Sequence, residues 1–156
     1  MTYHSNLDTF FSVAEESYSA MKDAIAAGRR SNPDGSGYIL SWDVNRTSFK
    51  HACITVAFAG MYFEALIYLL ALRDLGKEEA VKIDRMLYEV RLKKIGVTDP
   101  DLLIKARQFR EARRELIHEK AIDLTQPILP PPMYAQKMAD EAMQFITDLR
   151  AHLLAA

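Results

Sequence analysis

The chain has 156 residues, of which 49% are hydrophobic and 26% are charged, and this composition is typical of one globular domain with a hydrophobic core. Its 20 Lys and Arg balance 21 Asp and Glu to a formal net charge of -1, which excludes a strongly basic nucleic-acid coat and an acidic disordered tail. A single cysteine, Cys53, excludes an internal disulfide and a cysteine-built zinc or iron–sulfur cluster. The first ten residues are neither basic nor apolar enough for a signal peptide, so we expect a single cytoplasmic domain.

Apolar residues recur at helical spacing along almost the whole chain, and no strand pattern competes with them. The clearest helix start is at Asp99 and Pro100, because an aspartate caps free backbone N–H groups and a proline fits the first helical position. Gly28, Gly76 and Gly96 mark ends of helices. The sequence therefore predicts an all-α bundle of about five helices, over approximately residues 6–27, 43–75, 77–94, 98–120 and 133–154.

Two segments between these helices predict irregular structure. Residues 28–43 hold three of the six glycines, lack the spacing of a nucleotide-binding glycine motif, and predict a turn-rich surface loop. Tyr38 and Trp42 flank its end, where we expect them to anchor the loop by apolar contact; stacking on a nucleic-acid base is the alternative. Residues 123–132 contain four prolines and predict an extended connector.

The second predicted helix is unusually apolar. From Ala52 to Leu72, only Thr55, Gly60 and Glu64 fall outside the apolar residue types, and this stretch would be about 31 Å long, enough to cross a bilayer. A carboxylate past the midpoint is costly in lipid, and the other helices each have a charged face, so we favour a helix at the centre of a soluble bundle or between two bundles of a dimer. Glu64 then needs a partner, and the fourth helix has the most cations.

Residues 105–120 concentrate six of the 20 Lys and Arg around His118. The simplest interpretation is a solvated helix on which Glu111 and Glu115 pair with arginines three or four residues away. A histidine near the end of a helix is also favoured by the helix dipole when it is protonated. Physical chemistry alone favours this ion-paired surface over a functional site.

The same segment resembles a known family. The sequence RRELIHEK at 113–120 separates Arg113 from His118 by four residues, similar to the Arg-x4–6-His motif of HEPN domains (higher eukaryotes and prokaryotes nucleotide-binding). The residue after the arginine is polar, and Leu116 and Ile117 form the apolar pair usual before the histidine. The motif lies near the end of the penultimate helix of an all-α domain with an earlier apolar helix, as in that family.

The resemblance implies a metal-independent endoribonuclease that acts as a homodimer with two motifs facing a shared cleft. His118 would be the general acid and base, since an imidazole that titrates near neutral pH can exchange protons with a ribose hydroxyl and a leaving oxygen. Arg113 would bind the phosphoryl oxygens. This chemistry requires no metal and no cofactor. Such domains commonly serve in toxin–antitoxin or phage-defence systems, where a cognate antitoxin or inhibitor protein is a further partner.

Neighbouring residues would support this site. Arg110, Arg114 and Lys120 could line the cleft and steer RNA, because a local basic strip binds phosphate even at low net charge. Glu64 could orient one of the arginines from the facing helix. Two positions depart from the family: Arg114 stands where Asn, Asp or His is frequent, and Lys120 stands where a toxin subfamily has tyrosine.

Two other functions remain open at this point. The first is a catalytically inactive HEPN-like module that binds nucleic acid or a protein partner through the basic helix. The second is a helical adaptor on which residues 107–120 form only a salt-bridged surface.

Overall fold

A computed structural model of the chain describes residues 5–40, 43–117 and 131–155. The predicted all-α bundle is confirmed, because most of these residues are helical. This part of the chain contains six α-helices and one short antiparallel β-hairpin. Their bounds are α1 (Leu7–Ala27), β1 (Arg29–Ser31), β2 (Tyr38–Leu40), α2 (Thr47–Leu75), α3 (Lys77–Ile83), α4 (Tyr88–Lys94), α5 (Pro100–Ile117) and α6 (Pro131–Ala155).

Helix α2 runs antiparallel to α5 and parallel to α6. The ring of Phe63 lies 6.5 Å from that of Phe109 on α5, and Gly60, one turn earlier on α2, lies beside Arg113, one turn later on α5. Ser48, near the start of α2, accepts a hydrogen bond from Gln136, near the start of α6. The long helices α2, α5 and α6 therefore alternate in direction along the chain.

Helix α1 runs antiparallel to α6. The guanidinium of Arg150 lies 4.1 Å from the ring centre of Phe11, and the hydroxyl of Tyr18 donates to Asp140 at 2.8 Å. Together these directions place the ends of α1 and α5 and the starts of α2 and α6 at one end of the bundle. We call this the hairpin end, because the β-hairpin joins α1 to α2 there.

Four aromatic rings form the centre of the core. Phe63 of α2, Tyr88 of α4, Phe109 of α5 and Phe145 of α6 are all buried, with ring centres 4.4 to 6.5 Å apart. Aromatic rings at such distances add to the stability gained from burying their apolar area. One residue from each of four helices meets at this cluster, which fixes the position of α5 relative to α2 and α4.

Helix α2 is the central helix, but it is not buried on every side. It is long and apolar enough to cross a membrane by length and composition, and 39% of its 18-residue apolar window is buried inside the bundle. Ile54 and Met61 are exposed, and Phe58 and Leu69 are partly buried. At 100° per residue these four side chains share one face. We call this face the apolar stripe of α2.

The start of α2 lies close to the predicted position near Asp43 or Asn45. Asp43 accepts hydrogen bonds from the backbone N–H groups of Ser48 and Phe49, at 3.1 and 3.4 Å, and from the hydroxyl of Ser48 at 2.7 Å. Between the cap and the helix, Asn45 and Arg46 have φ values of 61° and 52°. L residues with side chains adopt this left-handed region at a cost, so the contacts of the Asp43 carboxylate hold a strained turn.

The third predicted helix is two helices, because the chain breaks after Ile83. Arg91 of α4 reaches back across the break, donating to the backbone oxygen of Met86 at 2.8 Å and to Asp84 at 2.9 Å. Ile83 packs in a small second core at the far end of α2, whereas Tyr88 enters the main core. A continuous helix would fix the relation of these two residues, so the break lets each reach its own core.

The predicted surface loop after α1 is partly a β-hairpin. Arg29 pairs with Leu40, Arg30 with Ile39 and Ser31 with Tyr38. The turn is closed by hydrogen bonds among Asn32, Asp34 and Ser36, of 2.5 to 3.0 Å. With only three residues, each strand is too short to show the alternation that identifies strands in a sequence.

The starts of α5 and α6 lie at or near their predicted positions. Asp99 caps α5 by accepting from the backbone N–H groups of Asp101 and Leu102. Helix α6 begins at Pro131, two residues before its predicted start, because prolines are tolerated in a first helical turn. The remainder of the proline-rich connector lies outside the described residues, as do His118, Lys120 and Trp42.

Candidate functional site

Arg113 lies against α2 where that helix has no side chain. A Cβ added at Gly60 would stand 2.9 Å from Cζ of Arg113 and closer still to its Nε and Cδ. The arginine therefore occupies the space that any other residue at position 60 would fill. Its Nε is buried against the helix and has no hydrogen-bond partner. The backbone of α2 thus forms the floor of the site.

The guanidinium of Arg113 is held by two groups from two other helices. Its Nη1 donates to Oε1 of Glu64 on α2 at 2.7 Å and to the hydroxyl of Tyr88 on α4 at 2.6 Å. The hydroxyl of Tyr88 in turn donates to the same Oε1 of Glu64 at 2.8 Å. These three side chains form a closed triangle, which we call the Arg113 triad. It gives Glu64 the arginine partner from the facing helix that its position in an apolar helix requires.

The triad lies at the edge of the core and is open to solvent on one side. The Arg113 side chain is 27% exposed and that of Glu64 is 35% exposed, whereas Tyr88 is buried in the aromatic cluster. Nη2 of Arg113 has no hydrogen-bond partner among the described residues. The guanidinium is therefore fixed in position, and no residue from 5–40, 43–117 or 131–155 accepts from its Nη2.

The hydroxyl of Tyr88 stays protonated at every physiological pH. Burial raises its pKa far above the usual value of 10.0, although the positive charge of Arg113 opposes that shift. A neutral phenol can donate to a carboxylate and accept from a guanidinium at the same time. Tyr88 thus provides one donor and one acceptor and links the ion pair to the core.

A second ion pair lies one turn earlier on α5. Nε of Arg110 is 3.6 Å from Oε2 of Glu89 on α4, and both atoms are buried without a hydrogen-bond partner. Arg110 is therefore turned towards α4 and is largely neutralised by Glu89. This placement is less suited to the predicted role of Arg110 in RNA binding than a solvent-facing side chain would be.

The other cations described on α5 differ in how they are paired. Lys105 donates to Asp148 of α6 at 2.6 Å, and Arg107 pairs with Glu111 along its own helix at 3.1 Å. The contact between Arg107 and Glu111 matches the ion-paired surface that the sequence predicts for this helix. Glu115 does not follow that prediction among the described residues, because it accepts a hydrogen bond from the hydroxyl of Tyr134 on α6. Arg114 is exposed and has no carboxylate partner among the described residues. It is the residue of α5 best placed to attract an anion from solvent.

Three residues of the site were not predicted from the sequence. Gly60, Tyr88 and Glu89 carry no motif, and Tyr88 was hidden in a segment that predicts one continuous helix. A glycine inside a long apolar helix is the one signal that could have been used, since it costs stability unless a neighbour approaches closely.

The described residues also limit which metal ions the site could hold. In that part of the chain no three His, Cys, Asp or Glu side chains gather in the way a metal site requires.

Neither a protein-family model, nor a curated protein, nor a solved structure matches this chain. The resemblance to HEPN domains therefore rests on the Arg113–His118 motif and the helical architecture.

Proposed function

We propose that this chain is a HEPN-like, metal-independent endoribonuclease in which Arg113 and His118 carry the chemistry. The observation that supports this most is the Arg113 triad. A surface arginine that only solubilised the helix would not need a carboxylate from α2, a phenol from α4 and a glycine beneath it. Such fixed positioning is typical of groups that bind developing charge.

In this proposal the triad positions Arg113 and His118 transfers protons. Nη2 of Arg113 would contact a phosphoryl oxygen, while Glu64 and Tyr88 keep the guanidinium from moving with the substrate. His118, which follows α5 directly in the sequence, would take a proton from the ribose 2′-hydroxyl and return one to the leaving 5′-oxygen. Arg114 would provide the unpaired positive charge that attracts RNA.

A homodimer is part of the proposal, and the apolar stripe of α2 is the surface that would form it. On a wheel of 100° per residue, Glu64 lies about 100° from the centre of this stripe and about 60° from Met61, its nearest member. The Arg113 triad therefore borders the stripe. Two copies that meet along their stripes would bring their triads close to one interface, as a shared cleft requires.

RNA cleavage in EDTA tests the proposal. We expect cleavage by the wild type, loss of cleavage of at least a hundredfold in His118→Ala and Arg113→Ala, and little change in Arg107→Ala. Arg107 is the matched control, because it is an exposed arginine on the same helix and its one ion-pair partner in the described part of the chain is Glu111. Circular dichroism must show that all four proteins are folded. Equal cleavage by the wild type and His118→Ala would overturn the proposal.

One observation favours a second candidate, a catalytically inactive module that binds RNA or a protein partner through α5. Nη1 of Arg113 is already occupied by Glu64 and Tyr88, so the triad would also serve a purely structural purpose. Binding of RNA without cleavage by the wild type, weakened by Arg114→Glu, would identify this candidate. Absence of both activities would leave the helical adaptor.

A further inference from the structure

The β-hairpin presents three side chains that the bundle does not use. Tyr38 is 70% exposed, so it does not anchor the segment as the sequence suggests. Arg29 and Arg30 are exposed, and neither has an ion-pair partner among the described residues. The acidic residue of the hairpin, Asp34, is bound by Ser36 within the turn. Within the described ranges, two cations and an aromatic ring of the hairpin are therefore exposed and take part in no ion pair.

The register of the hairpin determines which of these side chains lie together. Ser31 faces Tyr38 directly, and Arg29, two residues before Ser31, lies on the same face. Residues in this diagonal relation are about 7–8 Å apart, within reach of long and aromatic side chains. Arg30 projects from the opposite face. One face thus combines an aromatic ring with a guanidinium, and the guanidinium of Arg30 belongs to the other face of the same two-stranded hairpin.

The position of the hairpin relates it to the Arg113 triad. Helix α5 points its C-terminal end towards the hairpin end of the bundle. Gly60, which contacts Arg113, lies 13 residues from the start of α2 at Thr47, or about 20 Å along the helix axis. A strand of a few nucleotides can span that distance, so one RNA molecule could contact both places.

We propose that the hairpin binds single-stranded RNA, with a base stacked on Tyr38 and phosphates contacted by Arg29 and Arg30. An exposed ring stacks on an unpaired base whatever its identity, and arginines beside it follow the phosphate backbone. A duplex would hide its base faces from such a ring. The choice of RNA as the nucleic acid rests on the proposed function, whereas the stacking surface is independent of catalysis.

The experiment measures binding of a short fluorescein-labelled single-stranded RNA by anisotropy, in the full chain carrying His118→Ala to prevent cleavage. Tyr38→Ala should weaken binding about 5- to 150-fold, and Tyr38→Phe should bind like the parent because it keeps the ring. The double variant Arg29→Gln/Arg30→Gln should lower the slope of log K against log salt by about 1.4.

A second double variant provides the matched control. Lys77→Gln/Arg85→Gln removes two exposed cations that form no ion pair with any residue the structure describes. They lie beyond the opposite end of α2, a helix about 43 Å long. This double variant should leave affinity and salt slope almost unchanged. All these substitutions are on the surface, so melting curves should coincide with that of the parent.

Several outcomes would overturn the hairpin proposal. They are unchanged affinity in Tyr38→Ala, equal losses in the two charge variants, equal affinity for duplex RNA, or no RNA binding by the parent. Cleavage does not enter this measurement. If the wild type binds RNA through Tyr38 but cleaves no RNA, the nuclease proposal is refuted and the hairpin proposal is supported. If the wild type cleaves RNA and Tyr38→Ala does not change RNA binding, the hairpin proposal is refuted and the nuclease proposal is supported.

Discussion

Arg113 occupies the volume that a side chain at position 60 would need, so Gly60 and Arg113 are matched across the contact between α2 and α5. The guanidinium reaches Glu64 and Tyr88 only because α2 has no Cβ in its path. Glycine in the middle of a helix costs about 1 kcal/mol relative to alanine. The apolar helix at the centre of this bundle thus carries a destabilising residue at the position that admits the arginine.

We expect Gly60→Ala to destabilise the protein by about 1–2 kcal/mol, because overpacking at Arg113 costs more than the improved helix propensity returns. In an Arg113→Ala background Gly60→Ala should instead stabilise the protein. The steric overlap with the arginine side chain is then gone, and only the gain in helix propensity remains. Urea unfolding of the four proteins gives both values. Destabilisation of the same size in the two backgrounds would show that the contact between positions 60 and 113 is not its cause.

Tyr88→Phe isolates the hydroxyl of the triad from the ring that packs in the core. The substitution removes the bonds to Glu64 and Arg113 and keeps the aromatic contacts with Phe63 and Phe109. We expect a loss of about 1–2 kcal/mol in unfolding free energy. Unchanged stability and unchanged RNA cleavage together would mean that Tyr88 does not position Arg113.

The pair of Glu89 and Arg110 should be replaceable only as a unit. Arg110→Met leaves a carboxylate whose Oε2 is buried without a partner, and we expect it to cost about 1–3 kcal/mol. The double variant Glu89→Leu/Arg110→Met should return to within about 1 kcal/mol of wild type. Arg107→Met, on the exposed face of the same helix, should change the thermal midpoint little. A double variant less stable than Arg110→Met would contradict this account.

Asp43 should contribute to acid unfolding. Burial alone would raise its pKa, but hydrogen bonds from the hydroxyl and N–H of Ser48 and the N–H of Phe49 lower it below the usual 3.8. A depressed carboxylate pKa adds stability that is complete above about pH 4 and is lost as pH falls through the folded-state pKa. Asp43→Ala should therefore cost about 1 kcal/mol at pH 7 and less near pH 2–3.

Urea unfolding of Asp43→Ala across this pH range provides the measurement. Asp23→Ala is a suitable background control, because Asp23 is an exposed carboxylate of α1 without a hydrogen-bond partner among the described residues. A difference between wild type and Asp43→Ala that is constant with pH would show that the cap acts without its charge.

Met61→Glu tests the apolar stripe of α2. Met61 is exposed at the middle of the stripe, so the substitution should leave the monomer folded. In the proposed homodimer two such carboxylates would meet across the interface, and equilibrium sedimentation should show a shift towards monomer of at least tenfold in the dissociation constant. Glu78→Gln, at an exposed position on α3, is the control. A wild type that sediments only as monomer at micromolar concentration would refute the dimer.

Much of the helical architecture was predictable because its signals are local. The glycines after α1 and α2, the Asp99 cap and the apolar spacing of α6 each act within one or two turns. The break between α3 and α4 was not predictable in this way. It depends on Arg91 capping a turn and on Tyr88 reaching another core, and both are tertiary contacts that periodicity cannot reveal.

The only part of the candidate site that could be predicted from the sequence was the pairing of a charge in an apolar helix with an opposite charge. Glu64 in an apolar helix required a cation, and the basic helix offered several, so a pairing between them could be expected. Which arginine pairs with Glu64 depends on the space left by the missing side chain at Gly60, and this space is a property of two helices in contact. The exposure of Tyr38 was not predictable, because tyrosines are intermediate in burial and because strand β2 is too short to show which of its side chains face outwards.

Helix α6 closes the bundle over long stretches of sequence. Its contacts reach Ser48 across 88 positions of sequence and Tyr18 across 122, and it adds Phe145 to the aromatic core. Contacts between residues far apart in sequence close long loops and cost more entropy than local ones. The contacts of α6 therefore raise the contact order of the fold, and a higher contact order slows folding relative to a bundle in which only neighbouring helices touch.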